Sequence, residues 1–235
     1  MIIRKAFDIL NFCQDIIYPL TCCSCNSVLE TDDIFCINCR QYSTETDHFE
    51  LSHNTLTQRI KYRIEFKYGA ALYYFNKGAA TQSAIHKLKY SGRKDIAERM
   101  GRRFAEKLIN SQHFSQPDAI LPIPIHAKRR RKRGYNQSQV FGKAIGTQIN
   151  CPCIDSVLIK TKHHKSLTEH DRENRFLTVM KSFMLKDRHI INSKNILLVD
   201  DVITTGATIE AASTLLNSAG VKSLQIGLMG ISLNE

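Results

Sequence analysis

The sequence predicts an α/β protein: a mostly parallel sheet flanked by helices, with a small four-cysteine module on its N-terminal side. Three observations carry this expectation. Candidate strands at Ala70–Phe75, Asp118–Ile125, Ile196–Val199 and Lys222–Gly227 are separated by stretches of helical periodicity, the alternation that builds parallel sheets covered on both faces. Two Cys-x2-Cys knuckles, Cys22/Cys25 and Cys36/Cys39, stand ten residues apart. Residues 199–208 read VDDVITTGAT, a strand end carrying paired acids that runs into a small, hydroxylated loop.

The 235 residues are 43% hydrophobic, enough for one α/β core plus an appendage. The formal net charge of +11 favours polyanionic partners. Apolar Ile3, Phe7, Leu10 and Ile17 are broken by Arg4, Lys5, Asp8 and Asp15, which predicts an amphipathic helix over residues 1–18. That pattern is too charged for a secretory core and too short for a membrane span. The expected compartment is therefore a reducing cytoplasm, where clustered cysteines serve as thiolates on metal.

Residues 19–42 form the expected module, with Cys22, Cys25, Cys36 and Cys39 as four thiolate ligands for a structural zinc ion. So short a segment builds no core of its own, and metal would supply its folding energy. Cys23 is a spare that can exchange with Cys22, whereas Cys13, Cys151 and Cys153 have no paired spacing. Residues 43–65 are polar and weakly patterned, as in a linker. The remaining domain spans residues 66–235.

Within it, Ala79–Tyr90 reads as a helix broken at Ser91-Gly92, and Ile96–Ile109 resumes the pattern. Lys89 and Arg93 at the break either approach a phosphate or serve as solvated charge. The strand at Asp118–Ile125 opens onto HAKRRRKRGYNQ, residues 126–137, with six consecutive basic residues at Lys128–Arg133. Such a loop delivers cations to the sheet edge that carries Asp200, or is merely solvated surface. Helix follows over Val140–Ile149 and a brief strand at Val157–Ile159. Residues 160–176 are a long polar loop suited to closing over a phosphorylated ligand.

Asp200 and Asp201 lie at a strand's carboxyl end, where open α/β sheets bind ligands. Thr204, Thr205, Gly206, Ala207 and Thr208 then lead into a helix marked by Ile209, Ala212, Leu215 and Leu216. Free N–H groups and the positive dipole end at such a start suit a phosphate. Two acids for sugar hydroxyls followed by a phosphate cradle read as a grip on ribose 5-phosphate.

VDDVITTGAT closely resembles the phosphoribosyl-pyrophosphate (PRPP) motif of type I phosphoribosyltransferases. The wider layout of four cysteines, Pro122-Ile123-Pro124, Arg133-Gly134-Tyr135-Asn136-Gln137 and residues 199–208 resembles the ComF family of bacterial competence proteins. The resemblance implies a zinc finger fused to a phosphoribosyltransferase-like domain. It assigns Asp200 and Asp201 to the ribose hydroxyls with Mg²⁺, and residues 204–208 to the 5′-phosphate. The segment after Pro124, with Lys128, Arg129, Arg130, Arg133 and Gly134, would meet pyrophosphate, and residues 160–176 would form a flexible hood. In that hood Thr161, Leu167 and Arg172 fit the family pattern, while His164 stands where glutamine is usual. The implied role is in DNA uptake during natural transformation, with PRPP, weakly bound single-stranded DNA and DNA-uptake proteins such as a competence helicase as partners. Two functions follow: phosphoribosyl transfer, or a non-catalytic DNA-handling factor that keeps the pocket as a sensor or relic. No residue presents itself as a general base for an acceptor.

Overall fold

The computed structural model describes residues 19–161 and 182–233. The expected N-terminal helix and nearly all of the expected hood, including His164, Leu167 and Arg172, lie outside the described residues.

The four candidate strands form one parallel sheet. Its strands are β1 (Tyr68–Phe75), β2 (Ala119–Pro122), β5 (Asn195–Ile203) and β6 (Ser223–Ser232), in the order β1-β6-β5-β2. Alternate residues serve opposite faces, as the pleat requires. Leu72, Ile120, Leu197 and Val199 pack with Met100, Phe104, Phe141 and Ile145 on one side. Ala71, Leu121, Leu198 and Ile226 pack with Ile60, Ile209, Ala212 and Leu216 on the other. The first face is covered by α3 (Ala80–Tyr90), α4 (Asp95–Asn110) and α6 (Gln137–Ile149), the second by α2 (Thr55–Ile60) and α7 (Ala207–Ser218). Gly101 lets α4 and α6 meet closely, because a Cβ there would lie 2.6 Å from the Cβ of Ala144.

A second, two-stranded antiparallel sheet pairs β3 (Leu158–Lys160) with β4 (Phe183–Leu185). Strand β4 escapes prediction because three residues, Phe183, Met184 and Leu185, are too few to show a period.

Residues 43–65, read as a linker, carry α2 and line the outer edge of β1. Thr46 N–H donates to Leu72 O at 3.0 Å, and Tyr74 N–H donates to Thr44 O at 2.9 Å. Buried His48 accepts from Ala71 N–H through Nδ1 at 3.1 Å, and burial pushes its pKa down to about 4, so the ring is neutral. Buried Asn54 caps α2 through Thr57 N–H at 2.8 Å and donates to Gly69 O at 2.9 Å. These contacts cover a strand edge that would otherwise be open to pairing. They use backbone groups and the polar side chains of His48 and Asn54, so the segment shows no apolar periodicity.

The stretch 126–137, expected as a loop, contains helix α5 (Ala127–Arg133), which buries no residue. His126 Nδ1 accepts from Lys128 N–H at its start, and Gly134 ends it with φ 83°, a left-handed conformation that favours glycine. Lysine and arginine are good helix formers when solvent takes their charge, so a charge run without apolar spacing still coils.

Candidate functional site: an acidic-basic cleft and a four-cysteine cluster

The Sγ atoms of Cys22, Cys25, Cys36 and Cys39 all lie within 4.8 Å of one another. Cys25 and Cys36 sulfurs are 3.7 Å apart, against roughly 3.8 Å for two thiolates on tetrahedral zinc. The cluster is built by a knuckle in which Cys22 N–H donates to Ser27 O at 2.8 Å, and by helix α1 (Ile37–Arg40), which brings Cys39 back beside Cys36. Cys36 N–H also points at Cys22 Sγ, 3.4 Å away. The four thiols fit zinc. Cys23 is fully buried outside the cluster, and burial pushes its thiol up to about 12, so Cys22 is the residue placed with the other three.

The module is bolted to the main domain by basic side chains. Arg99, 6% exposed, donates to Thr21 O at 2.9 Å and Asp33 O at 3.0 Å. Arg102 meets Asp32 at 2.6 Å, and Lys87 donates to Asn26 Oδ1 at 2.8 Å and to Ser24 O. Arg93 is not solvated charge: it holds Asp95 at 2.8 and 2.7 Å and reaches Asn26 Oδ1 at 3.1 Å.

The paired acids sit in a separate cleft of about 750 Å³ at the carboxyl end of the sheet. Pro122 pairs with Val199, and Ile123 N–H still bonds Val199 O at 2.9 Å, after which the two chains diverge and open the cleft. Asp200, Asp201 and Thr208 line it, opposed by Lys89, Arg129, Lys132, Arg133 and Lys160. Of the basic residues expected there, Lys128 and Arg130 are not among the lining residues. Ser138 donates its hydroxyl to Asp200 Oδ1 at 2.8 Å, and Asp201 N–H donates to the same oxygen at 2.9 Å. Burial, then the charge of Asp201, pushes Asp200 up to about 7 against those two donors. Lys89 Nζ lies 2.8 Å from Asp201 Oδ2. Its sequence context, an exposed-looking lysine before Ser91-Gly92, gave no sign of that partner. Lys160, from β3, has its pKa lowered by burial, an effect opposed by Asp200.

The Arg133–Gln137 motif acts mainly as a clamp. Arg133 Nε donates to Lys89 O at 2.9 Å, and the Tyr135 hydroxyl donates to Leu88 O. Asn136 Nδ2 donates to Ile123 O at 2.9 Å, while its side-chain oxygen accepts from Ser138 N–H at 3.2 Å. The motif thus ties the end of α3, the end of β2 and the start of α6 together around Asp200. Tyr135 is buried; the aromatic exposed beside the basic helix is Tyr90, with His86 at 4.7 Å and Arg133 at 5.8 Å.

Beyond β5, the loop 204–206 turns through Gly206, whose φ of 83° sets up the start of α7. Thr204 O accepts from Arg59 at 3.2 Å and Thr205 O from Arg63 at 2.6 Å. Both arginines come from the segment read as a linker.

Fold and cleft define an α/β protein that presents paired acids, a glycine-turned loop and a basic wall at the carboxyl edge of a parallel sheet. Residues 93–229 match the phosphoribosyl transferase domain, and the chain belongs to that family. It is 30% identical over 113 residues to Competence protein F of Haemophilus influenzae, covering 47% of this chain and 48% of that one. It is 25% identical over 145 residues to DNA utilization protein YhgH of Escherichia coli K12, covering 60% and 63%. The chain thus spans about half to under two thirds of the length of these relatives. Among solved structures, glutamine PRPP amidotransferase of B. subtilis, complexed with ADP and GMP, is similar at 16% identity and TM-score 0.42, covering 61% of this chain and 30% of that chain. No helix among the described residues is long and apolar enough to cross a membrane.

Proposed function

We propose that this chain binds PRPP with magnesium in the Asp200–Asp201 cleft, and that it serves DNA handling in natural transformation. The observation that carries the reading is the placement of both acids and Thr208 in one cleft opposite Lys89, Arg129, Lys132 and Arg133. Asp200 and Asp201 would orient the ribose hydroxyls, and their carboxylates are the hard oxygen donors that magnesium takes. Magnesium would supply charge neutralisation at the pyrophosphate. Loop 204–208 would take the 5′-phosphate through N–H groups at the start of α7. Arg129, Lys132 and Arg133 would face the pyrophosphate. The four-cysteine cluster would hold a structural zinc ion. Calorimetry should detect magnesium-dependent PRPP binding, weakened about 10-fold or more by Asp200→Asn or Asp201→Asn, in keeping with about 1.5–3 kcal/mol for a charged hydrogen-bonding group. Wild-type protein that takes no PRPP, or two variants that bind it unchanged, would falsify this reading.

The non-catalytic, DNA-handling alternative draws support from helix α5, none of whose six basic residues is buried, and from the names of the relatives. Weak, sequence-independent binding of single-stranded DNA should weaken linearly in log–log terms with salt, at about 0.7 per phosphate contacted. Arg129→Ala, Arg130→Ala and Arg131→Ala combined should flatten that slope by up to about two. PRPP should compete with DNA, because Arg129 lies in the cleft. An unaltered slope in the triple variant would leave the run as solvated surface.

A further inference from the structure

Arg59 and Arg63 precede the family-matched residues 93–229, yet both reach the loop that precedes α7. Helix α2 is fixed for this task. Asn54 and Thr57 form a reciprocal cap at its start, and Leu56 and Ile60 are fully or almost fully buried against the sheet. Arg59 follows on that helix, and Arg63 comes one turn after it. Their guanidinium groups take the carbonyls of Thr204 and Thr205, with Arg63 also 3.8 Å from Glu210.

A trans peptide points its C=O and the next N–H in opposite directions. Holding the Thr204 and Thr205 carbonyls therefore turns the N–H groups of Thr205 and Gly206 away from the arginines. Neither N–H donates to a backbone carbonyl of the described residues. Both remain available next to the start of the 12-residue helix α7, whose first N–H groups point the same polarity at a ligand. Gly206 suits this fit: its φ of 83° strains any other residue, and a Cβ there would come 3.3 Å from Arg63 Nη1.

We propose that Arg59 and Arg63 are positioning residues that set the peptide planes of loop 204–206 for a phosphomonoester. This rests on the reading of residues 204–208 as the 5′-phosphate seat. Ribose 5-phosphate and pyrophosphate, each with magnesium, separate that seat from the rest of the cleft. Arg63→Ala should weaken ribose 5-phosphate about 10-fold and Arg59→Ala several-fold, while both leave pyrophosphate within about twofold. Arg63→Lys, which keeps a cationic donor for the Thr205 carbonyl, should recover most of the loss. In ligand-free protein, the amide resonances of Thr205 and Gly206 should shift in Arg63→Ala with the rest of the sheet unmoved. Equal loss of both ligands, unchanged ribose 5-phosphate binding, or unmoved amide resonances would overturn the proposal. Wild-type protein that binds neither ligand would end the PRPP reading, and the amide resonances would still decide the role of the arginines.

Discussion

Cys36→Ser is expected to release zinc, unfold residues 19–42 and leave the sheet folded at a lower melting temperature. The module's own buried residues are few: Cys22, Cys23, Ile34 and Phe35. They cannot offset the ordering of some two dozen residues at about 1–2 kcal/mol each. Metal binding to such small sites is worth about 10–16 kcal/mol in isolated fingers, so losing a ligand removes the largest stabilising contribution. The cost reaches the main domain through contacts already described. Arg99 loses the carbonyls of Thr21 and Asp33, and Phe35 leaves Tyr73, whose ring centroid lies 5.5 Å away. A net loss of about 3 kcal/mol corresponds to about 6–12 °C at this size. Metal analysis should give about one zinc per chain for wild type and none for the variant. A variant that keeps both its melting temperature and a protease-resistant N-terminal segment would remove zinc from the account.

The second large effect is on pH. PRPP affinity should rise up to about tenfold per unit as pH climbs toward 7, and level off above it. Asp200 is pushed up to about 7 by burial and by Asp201, and the ligand needs it as a carboxylate. Below that pH each binding event must first expel a proton. The same shift has an opposite sign for stability. Because the folded protein holds this proton more tightly than the unfolded chain does, the contribution is complete below about 4 and is lost as pH rises through about 7. Asp200→Asn cannot ionise, so at pH 8 it should be more stable than wild type by on the order of 1–3 kcal/mol, somewhat less than the roughly 4 kcal/mol of the full shift. At pH 4 the two should converge. Thermal melts across that range measure the difference directly, and a wild type that is the more stable protein at pH 8 would contradict the assignment.

Much of this arrangement was legible in the residues. Short unbroken apolar runs such as Ile196–Val199 announce strands buried on both faces, and paired spacing announces the cysteine cluster. Asp200 and Asp201 could be placed because a strand end, two acids and a small-residue loop are contiguous. What stayed hidden depends on contacts between distant segments. Lys89 meets Asp201, and Arg63 meets Thr205, across 112 and 142 positions of chain respectively. Residues 43–65 looked structureless because His48 and Asn54 work by hydrogen bonding to the β1 edge, which leaves no hydrophobic period. The basic run reads as a loop because α5, with no buried residue, shows no apolar period. Tyr135 follows that run by two residues in sequence, and only packing against α3 shows it buried.

The most direct test is phosphorus NMR of PRPP titrated onto the protein with magnesium, because the 5′-phosphate and the two pyrophosphate phosphorus atoms resonate separately. Wild type should perturb all three. Asp201→Asn should weaken the whole response, and Arg63→Ala should diminish the 5′-phosphate response in particular. Three signals that stay at their free positions at saturating protein would contradict PRPP binding in this cleft.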